Sequence, residues 1–135
     1  MEYKQTSIIP FLTFPGTAED AVNFYVSVFP NSKINEITRI ENPEHGEVGK
    51  VLNLDFELDG LNFFALDMEK EYLPDFTWAI SLYKDCTNED EFNSIFKQLS
   101  INGKVLMGPE PIMDLKLATW VTDQFGVTWQ LVLHD

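Results

Sequence analysis

Few residues of this chain are of a type that could do chemistry, and the first is a glutamine near its end. Gln130 lies in DQFGVTWQLV, where residues 127–132 read as an alternating strand, and its amide could hydrogen-bond a small molecule. Asp55 and Glu57 lie two residues apart, so a strand would carry both on one face, where they could serve in acid–base chemistry. The alternative is that they are strand-face carboxylates that reach solvent or a partner protomer.

Two histidines and one cysteine complete this set. His45 lies close to Glu44 and Glu47 in ENPEHGEVG, which we interpret as a solvated hairpin loop, with a metal site as the alternative. His134 is next to the last residue, so no histidine inside a predicted strand or helix can act as a general base. Cys86 precedes a predicted helix, whose amino terminus can lower a thiol pKa, although we interpret it as a small buried side chain.

Composition and charge narrow the classes of partner. The 135 residues include 22 acidic and 9 basic side chains, a net charge of −13, which repels phosphate backbones and anionic lipids. We therefore expect neither a nucleic acid nor a membrane as partner. A single cysteine, no signal-peptide pattern in MEYKQTSIIPF and no apolar run of the ~20 residues that a membrane helix needs predict a cytoplasmic protein.

The chain contains an internal repeat that predicts two helices. TAEDAVNFYVSVF begins at Thr17 and TNEDEFNSIFKQL begins at Thr87, an offset of 70 residues. In both segments apolar residues recur at i, i+3, i+4 and i+7, which is the pattern of one buried helical stripe. Each threonine is followed three residues later by an acidic residue, which predicts an N-cap with a capping box.

Strands flank each predicted helix in the same order. The repeat and the turn signals predict strands at residues 8–14, 33–40, 51–58 and 61–67 in the first half, and at residues 78–83, 104–107, 117–122 and 128–133 in the second half. Asp59-Gly60 suits a type I′ turn between two of them. Each half is therefore a βαβββ module, spanning about residues 7–67 and 77–133 with a junction at 68–76, and one module is too small to bury its sheet alone. We expect the two modules to form one domain.

The alternation of residues assigns faces to these strands. In the first half, Leu54, Phe56 and Leu58 are predicted to face the helix, which leaves Asp55 and Phe64 on the opposite face. In the second half we predict that Gln130 shares its face with Thr119 and that Trp120 and Trp129 belong to the core. Asp123 is expected to cap the turn before the last strand.

The non-helix face is mixed, aromatic and polar, which predicts a half-closed cup for a small molecule rather than an open solvated face. The repeat pairs Phe11 with Ser81 and Thr13 with Tyr83 on the first strand of each half. GPEPIMDL, between two strands of the second half, is either a lid over the cup or a stiff connector. The predicted ligand-binding residues are Phe11, Asp55, Phe64, Ser81, Tyr83, Thr119 and Gln130.

The paired βαβββ modules, the segment AVNFYVSVFPNSK, the hairpin FELDG and the closing DQFGVTWQLV resemble the vicinal oxygen chelate superfamily. Within it the chain is similar to the PhnB-like branch of the glyoxalase/bleomycin-resistance group, some members of which carry a 3-demethylubiquinone-9 3-methyltransferase label. The resemblance extends from about Ser7 to Leu133. It implies an α+β fold in which two tandem modules curl into one cup, commonly in a homodimer.

The same resemblance implies positions for metal ligands, which metal-dependent members take from the first and last strands of each module. The repeat places those positions at Ile9, Phe64, Ala79 and Gln130, and three of the four lack a metal-binding atom. We therefore expect no metal and no other cofactor. Nor does the sequence contain the Gly-rich strand-to-helix loop that a methyltransferase would use for an adenosyl cofactor.

Together these observations predict a metal-free homodimer that binds a small, partly apolar molecule in its cup. Whether the protein also transforms that molecule is left open by the sequence. One alternative is a metal-dependent lyase or dioxygenase of the vicinal oxygen chelate type, with ligands in another register. The other is a structural or interaction module whose cup is filled by its own side chains.

Overall fold

The computed structural model of the protein describes residues 7–135, so the start of the segment tested for a signal peptide lies outside the described residues. The chain forms two compact units that divide between Pro74 and Asp75. Each unit contains one helix of at least 11 residues and one four-stranded sheet, in the order βαβββ. The predicted α+β class and the repeated module are thereby confirmed.

The two units have the same topology. Unit 1 consists of β1 (Phe11–Phe14), α1 (Ala18–Val28), β2 (Lys33–Arg39), β3 (Val51–Leu58) and β4 (Leu61–Asp67). Unit 2 consists of β5 (Leu82–Cys86), α2 (Glu89–Ser100), β6 (Lys104–Ile112), β7 (Leu115–Thr122) and β8 (Thr128–His134). The strand orders are β1-β4-β3-β2 and β5-β8-β7-β6, and the first strand of each unit pairs in parallel with the last one. Each sheet is therefore mixed, with one parallel and two antiparallel pairings.

Both helices bury the apolar stripe that the repeat predicts. In α1 the buried residues include Val22 and Tyr25, and in α2 they are Phe92, Ile95 and Leu99. These stripes pack on the helix-facing sides of the two sheets and form the core of each unit.

The helix caps are confirmed in position for α1 but differ in their bonds. Thr17 is the N-cap residue of α1, but its side chain makes no cap, and instead Oδ1 of Asp67, at the end of β4, accepts the hydrogen bond of Ala18 N at 2.8 Å. In α2 the predicted Thr87 cap is wrong, since the cap is Asn88, whose Oδ1 accepts from Glu91 N at 2.8 Å. Glu91 Oε1 accepts from Thr87 N, the residue before the cap, at 3.1 Å, so the predicted capping box is not formed.

The hairpin of unit 1 has the predicted turn and register. Asp59 and Gly60 both have positive φ, 51° and 82°, as a type I′ turn requires. Leu58 pairs with Leu61 and Phe56 with Phe63, whose stacked rings lie 5.3 Å apart. The assignment of faces in unit 1 is therefore confirmed.

The hairpin of unit 2 has a different register from the predicted one. Thr122 pairs with Thr128, which leaves residues 123–127 between them, an odd number, with Gly126 at φ 95° inside the turn. An odd count shifts every cross-strand partner by one residue relative to the two- or four-residue loops that we considered. In consequence Trp120, and not Thr119, lies opposite Gln130.

Two predictions change with this register. Thr119 is paired with Leu131 on the helix-facing side, where it is fully buried and its Oγ1 donates to the Met107 carbonyl at 2.7 Å. Its prediction as a ligand-binding residue on the Gln130 face is wrong, as is the prediction of Trp120 as a core residue. Trp129 and Leu131 are buried on the helix side, as predicted.

The segment GPEPIMDL is an edge hairpin. Residues 108–112 continue β6 along β7, with Glu110 opposite Ala118, and Met113 turns the chain with φ 53°. The strand is at the sheet edge, so Pro109 and Pro111, which have no N–H to donate, are tolerated there. Neither the lid nor the loop connector that the sequence suggests is observed.

Among the described residues, neither helix is long and apolar enough to cross a membrane.

Candidate functional site

One transverse row of side chains crosses the sheet of unit 1 on the face opposite the helix. Cross-strand pairing aligns Phe11, Phe64, Asp55 and Glu36 on β1, β4, β3 and β2. The rings of Phe11 and Phe64 have centroids 5.8 Å apart and are tilted by 56°. Asp55 is 2% exposed, whereas Phe11 is 49% exposed. Within the row, the exposed fraction therefore falls from Phe11 to the carboxylate of Asp55.

The buried carboxylate of Asp55 is held by two amides. Nδ2 of Asn62 donates to its Oδ1 at 2.9 Å, and Nδ2 of Asn35 donates to the same oxygen at 3.3 Å. The ladder of β2 shifts between Ile34 and Glu36, so Asn35 is the extra residue of a bulge, which lets its side chain reach the row. Asp55 is thus the buried polar group of the row that contains the two phenylalanine rings.

Glu57 does not join Asp55 as an acid–base pair. It lies one pleat further along the same face, opposite Asn62, and its Oε2 is 3.9 Å from Nζ of Lys33. The two carboxylates share a face, as predicted, but each has separate partners.

A second transverse row crosses the sheet of unit 2. Tyr83, Gln130, Trp120 and Met107 are aligned on β5, β8, β7 and β6. Nε2 of Gln130 donates to Oγ of Ser81 at 2.8 Å, so the predicted residues Ser81 and Gln130 are in direct contact. The row combines a phenol, an amide, an indole and a thioether on one face.

Trp78 enlarges the aromatic part of this row. Its ring meets that of Trp120 edge-on, with centroids 5.9 Å apart, and it is 63% exposed. Tyr83, on the other side of Gln130, is 59% exposed. The amide of Gln130 therefore lies between accessible aromatic side chains.

The pairing of the first strands differs from the one that the repeat predicts. Phe64 and Gln130, the predicted equivalents on the last strands, pair with Phe11 and Tyr83. Phe11 therefore corresponds to Tyr83, 72 residues later, and not to Ser81. One residue of the change arises because residues 15–17 join β1 to α1 but only residues 87–88 join β5 to α2, and the other because α2 begins one residue later in the repeat than α1.

The side chains at the implied metal positions do not fit a metal ion. Ile9, Phe64 and Ala79 have no metal-binding side-chain atom, which leaves the amide oxygen of Gln130 as the single potential ligand among the four positions. Within residues 7–135, no group of three or more His, Cys, Asp or Glu side chains could hold a metal ion. Exposed His45 and buried Cys86 also lie apart from both rows, on the loop before β3 and on the helix-facing side of β5.

Unit 1 also contains a cavity of about 890 Å³ that the sequence analysis missed. It lies where the start of α1, the loop before β3 and the segment after β4 meet. The Glu69 pKa is raised there, because the protonated carboxyl of Glu69 can donate a hydrogen bond to Glu71. None of the predicted site residues lines this cavity. Its apolar and charged walls include Ile40, Leu52, Met68, Tyr72, Glu44, Glu47, Lys50 and Glu71. The signals in the sequence are the mixture of charged and apolar residues in MEKEY, which we assigned to the junction, and the loop ENPEHGEVG, whose Glu44, His45 and Glu47 also line the cavity.

The sequence analysis also did not identify four residues that lie in or beside the two rows. Trp78 and Met107 carried no recognised polar pattern, Trp120 was assigned to the wrong face, and Asn35 depends on a bulge. Gly126 after Phe125 was the one signal for the odd loop that places Trp120 beside Gln130.

Comparison with known proteins assigns the architecture to a family. A family profile described as 3-demethylubiquinone-9 3-methyltransferase matches residues 6–132. A solved PhnB protein from Bacillus cereus, whose description carries the same methyltransferase name, is 37% identical with a TM-score of 0.86. That match covers 95% of this chain and 99% of the other chain. No curated protein matches the chain.

More distant solved structures share the fold. The fosfomycin resistance protein FosX from Mesorhizobium loti is 9% identical with a TM-score of 0.63, over 96% of this chain and 92% of its own. A glyoxalase/bleomycin resistance protein from Albidiferax ferrireducens T118 is 11% identical with a TM-score of 0.58, over 96% and 100% of the two chains. At these identities the likeness concerns the fold alone.

Proposed function

Because the chain belongs to the 3-demethylubiquinone-9 3-methyltransferase family, the PhnB-like branch of the vicinal oxygen chelate superfamily, we propose that it binds a small, partly apolar molecule without a metal ion. The observation that carries this proposal is the row formed by Tyr83, Gln130 and Trp120. Small-molecule sites are lined mainly by apolar and aromatic side chains with a few polar groups that orient the ligand.

Gln130 is suited to orient such a ligand. Its Nε2 is engaged by Ser81 at 2.8 Å, which fixes the rotation of the amide. Over the described part of the chain, no donor is bonded to Oε1 of Gln130. This oxygen can therefore accept a hydrogen bond from a ligand that packs on Tyr83 or Trp120.

The family name does not define the proposed activity. A methyltransferase that uses an adenosyl cofactor would need a parallel sheet with a Gly-rich turn before a helix. Each sheet of this protein has one parallel pairing, and the strand-to-helix connections of the two units are PGT and TN. The proposal is therefore binding, with any reaction left to the identity of the ligand.

A screen of small aromatic acids, amines and alcohols by thermal shift tests the proposal. A ligand of the native state raises the melting temperature by mass action. We expect a hit whose shift is lost in Gln130→Ala but is kept in Gln124→Ala, a glutamine in the exposed turn. A hit that binds the row of unit 1 is expected to lose its shift in Phe64→Leu instead. If no hit depends on Gln130 or Phe64, the proposal is wrong and an interaction module becomes the better description.

Metal analysis of protein purified without a tag tests the metal-free part. We expect less than stoichiometric Zn, Fe, Mn or Ni. Stoichiometric metal that is lost in Gln130→Ala would contradict this part and would favour a metal-dependent lyase or dioxygenase.

We further propose that the two units form one domain of a cytoplasmic homodimer, as the resemblance to the family implies. Light scattering at micromolar protein concentration is expected to give the mass of two chains of 15.5 kDa. The mass of a single chain would refute the dimer.

A further inference from the structure

Asp55 is a buried carboxylate with one oxygen to which no described residue donates. Its exposure is 2%, and the amides of Asn62 and Asn35 both donate to Oδ1, at 2.9 and 3.3 Å. Of the residues that the structure describes, none donates a hydrogen bond to Oδ2. Oδ2 is also not among the fully buried polar atoms without a partner, so it can be reached from solvent. It is therefore able to accept a hydrogen bond from a donor that comes from outside the chain.

Two aromatic rings lie beside this carboxylate. Phe64 is directly across from Asp55 in the β3–β4 ladder, and Phe11 follows in the same row, with the ring centroids 5.8 Å apart. The face of an aromatic ring attracts a cation, and the attraction grows when water is excluded. A carboxylate next to ring faces is thus suited to a positively charged donor that also carries apolar carbon.

The charge around the row favours the same class of ligand. Glu36 follows Asp55 in the row and is exposed, and the whole chain has a net charge of −13. This field attracts small cations and repels carboxylate or phosphate ligands. Only 2% of Asp55 is exposed, which favours a compact head group such as a primary ammonium.

We propose that the row of unit 1 binds the ammonium group of an amine-bearing, partly apolar ligand, with Oδ2 of Asp55 accepting its N–H and the rings of Phe64 and Phe11 packing on the adjoining carbon. The inference rests on the proposed function and adds the chemical class of the ligand.

Three probes of similar size and different charge test it: phenethylammonium, 2-phenylethanol and 3-phenylpropionate. We expect phenethylammonium to bind at least about tenfold more tightly than the alcohol, because a hydrogen bond to a charged group is stronger than one between neutral groups. The propionate is expected to bind most weakly. Titration calorimetry or ligand-observed NMR at neutral pH measures the three affinities. Equal affinities for the amine and the alcohol would overturn the inference.

A matched pair of variants distinguishes the effect of the Asp55 charge on amine binding from the effect of the negative charge around it. Asp55→Asn keeps an oxygen that can accept from Asn62, and it is expected to lose about tenfold in amine affinity with unchanged alcohol affinity. Glu36→Gln removes the same charge from an exposed neighbour in the row, and it is expected to change amine affinity by less than about twofold, since exposed charges are screened. Unchanged amine affinity in Asp55→Asn would overturn the inference.

If Asp55→Asn does not fold, a measurement on the unaltered protein tests whether the amine binds beside Phe64. Intermolecular NOEs are expected between the methylene beside the ammonium and the ring protons of Phe64. Bound amine without NOEs to Phe64 overturns the inference.

The two proposals fail in different ways. If 2-phenylethanol or 3-phenylpropionate binds in a manner that depends on Phe64 or Gln130 while the amine does not, only the ligand class is wrong. If none of the three probes binds at millimolar concentration, the ligand class is contradicted, and the proposed function is contradicted as well only if the wider screen also gives no hit that depends on Gln130 or Phe64.

Discussion

Trp120 lies directly across from Gln130 in the β7–β8 ladder, and its ring meets that of Trp78 edge-on at 5.9 Å. The neighbouring Trp129 points to the other side of the same sheet, where it is 3% exposed and its Nε1 donates to Oδ2 of Asp123 at 2.8 Å. The two β-hairpin tryptophans therefore have different roles. One belongs to the row around Gln130 and the other to the core.

Substituting these two tryptophans is expected to separate stability from binding. Trp129→Ala should lower the free energy of unfolding by about 3–5 kcal/mol, because it empties a buried site and leaves Asp123 with one partner fewer. Trp120→Ala, at a half-buried position, should cost about 1–2 kcal/mol but remove binding of aromatic probes. Urea denaturation followed by circular dichroism measures both. Equal losses of stability would contradict the assignment of faces.

Asp123 is expected to be a stability residue of unit 2. It is 3% exposed, and its carboxylate accepts hydrogen bonds from the backbone N–H groups of Phe125 and Val127 at 2.8 and 3.2 Å, in addition to the indole of Trp129. Asp123→Ala leaves these three donors without that acceptor and should lower the free energy of unfolding by about 2–4 kcal/mol. The exposed Asp114→Ala in the β6–β7 turn serves as the control, with an expected change within about 0.5 kcal/mol.

The ion pair between Arg39 and Glu19 is expected to give a pH-dependent contribution to stability. The guanidinium donates to both carboxylate oxygens, at 2.9 and 2.8 Å, and this hydrogen bonding lowers the Glu19 pKa below its ordinary value of 4.5. A carboxyl whose folded-state pKa is lowered stabilises the fold above its ordinary pKa, and the contribution is lost as the pH falls through the lowered value. Arg39→Gln should therefore be less stable than the unaltered protein at pH 7 and equally stable once Glu19 is protonated.

The test of this pair is a series of urea denaturations from pH 7 to pH 2. The pair is exposed, so about 1 M salt should also reduce the difference. Lys104→Gln, which removes an exposed lysine with no carboxylate partner in the described part of the chain, should show no such dependence on pH. A difference that persists unchanged at pH 2 would mean that Arg39 acts through another contact, such as its bond to the Gly49 carbonyl at 3.2 Å.

The pair Glu69 and Glu71 is expected to titrate together. The Glu69 pKa is raised because its protonated carboxyl donates a hydrogen bond to Glu71 and because the negative charge of Glu71 disfavours its ionisation. The associated stability is present below the ordinary pKa of Glu69 and is lost as the pH rises through the raised value. Glu71→Gln should return the Glu69 pKa towards its ordinary value, as read from the carboxyl carbon shift in an NMR titration. Glu110→Gln, in unit 2, is the control and should leave it unchanged.

Much of the fold follows from local sequence patterns. The helical stripes of TAEDAVNFYVSVF and TNEDEFNSIFKQL predicted α1 and α2, and Asp59-Gly60 predicted a hairpin whose bounds and register are confirmed. These features depend on neighbours within a few residues, where periodicity and turn chemistry suffice. The family, too, was recognisable from such segments.

The candidate site depends on relationships that local patterns do not contain. The row through Gln130 requires the register of β5 on β8, a parallel pairing between strands that are far apart in sequence, and the odd loop around Gly126. A shift of one residue moves a side chain to the other face, so Thr119 and Trp120 exchanged roles between prediction and structure.

Asp55 shows most clearly which properties follow from the sequence and which depend on the tertiary structure. Its alternation with Leu54 and Phe56 was sufficient to predict its face from the sequence. Its burial, its two amide partners and its place beside Phe64 depend on the β2 bulge and on cross-strand pairing. The sequence by itself determined which residues alternate and where the helices lie, because those are short-range properties of the chain. Only the tertiary structure decided which polar group meets which ring, because that depends on strand registers set by loop length and bulges.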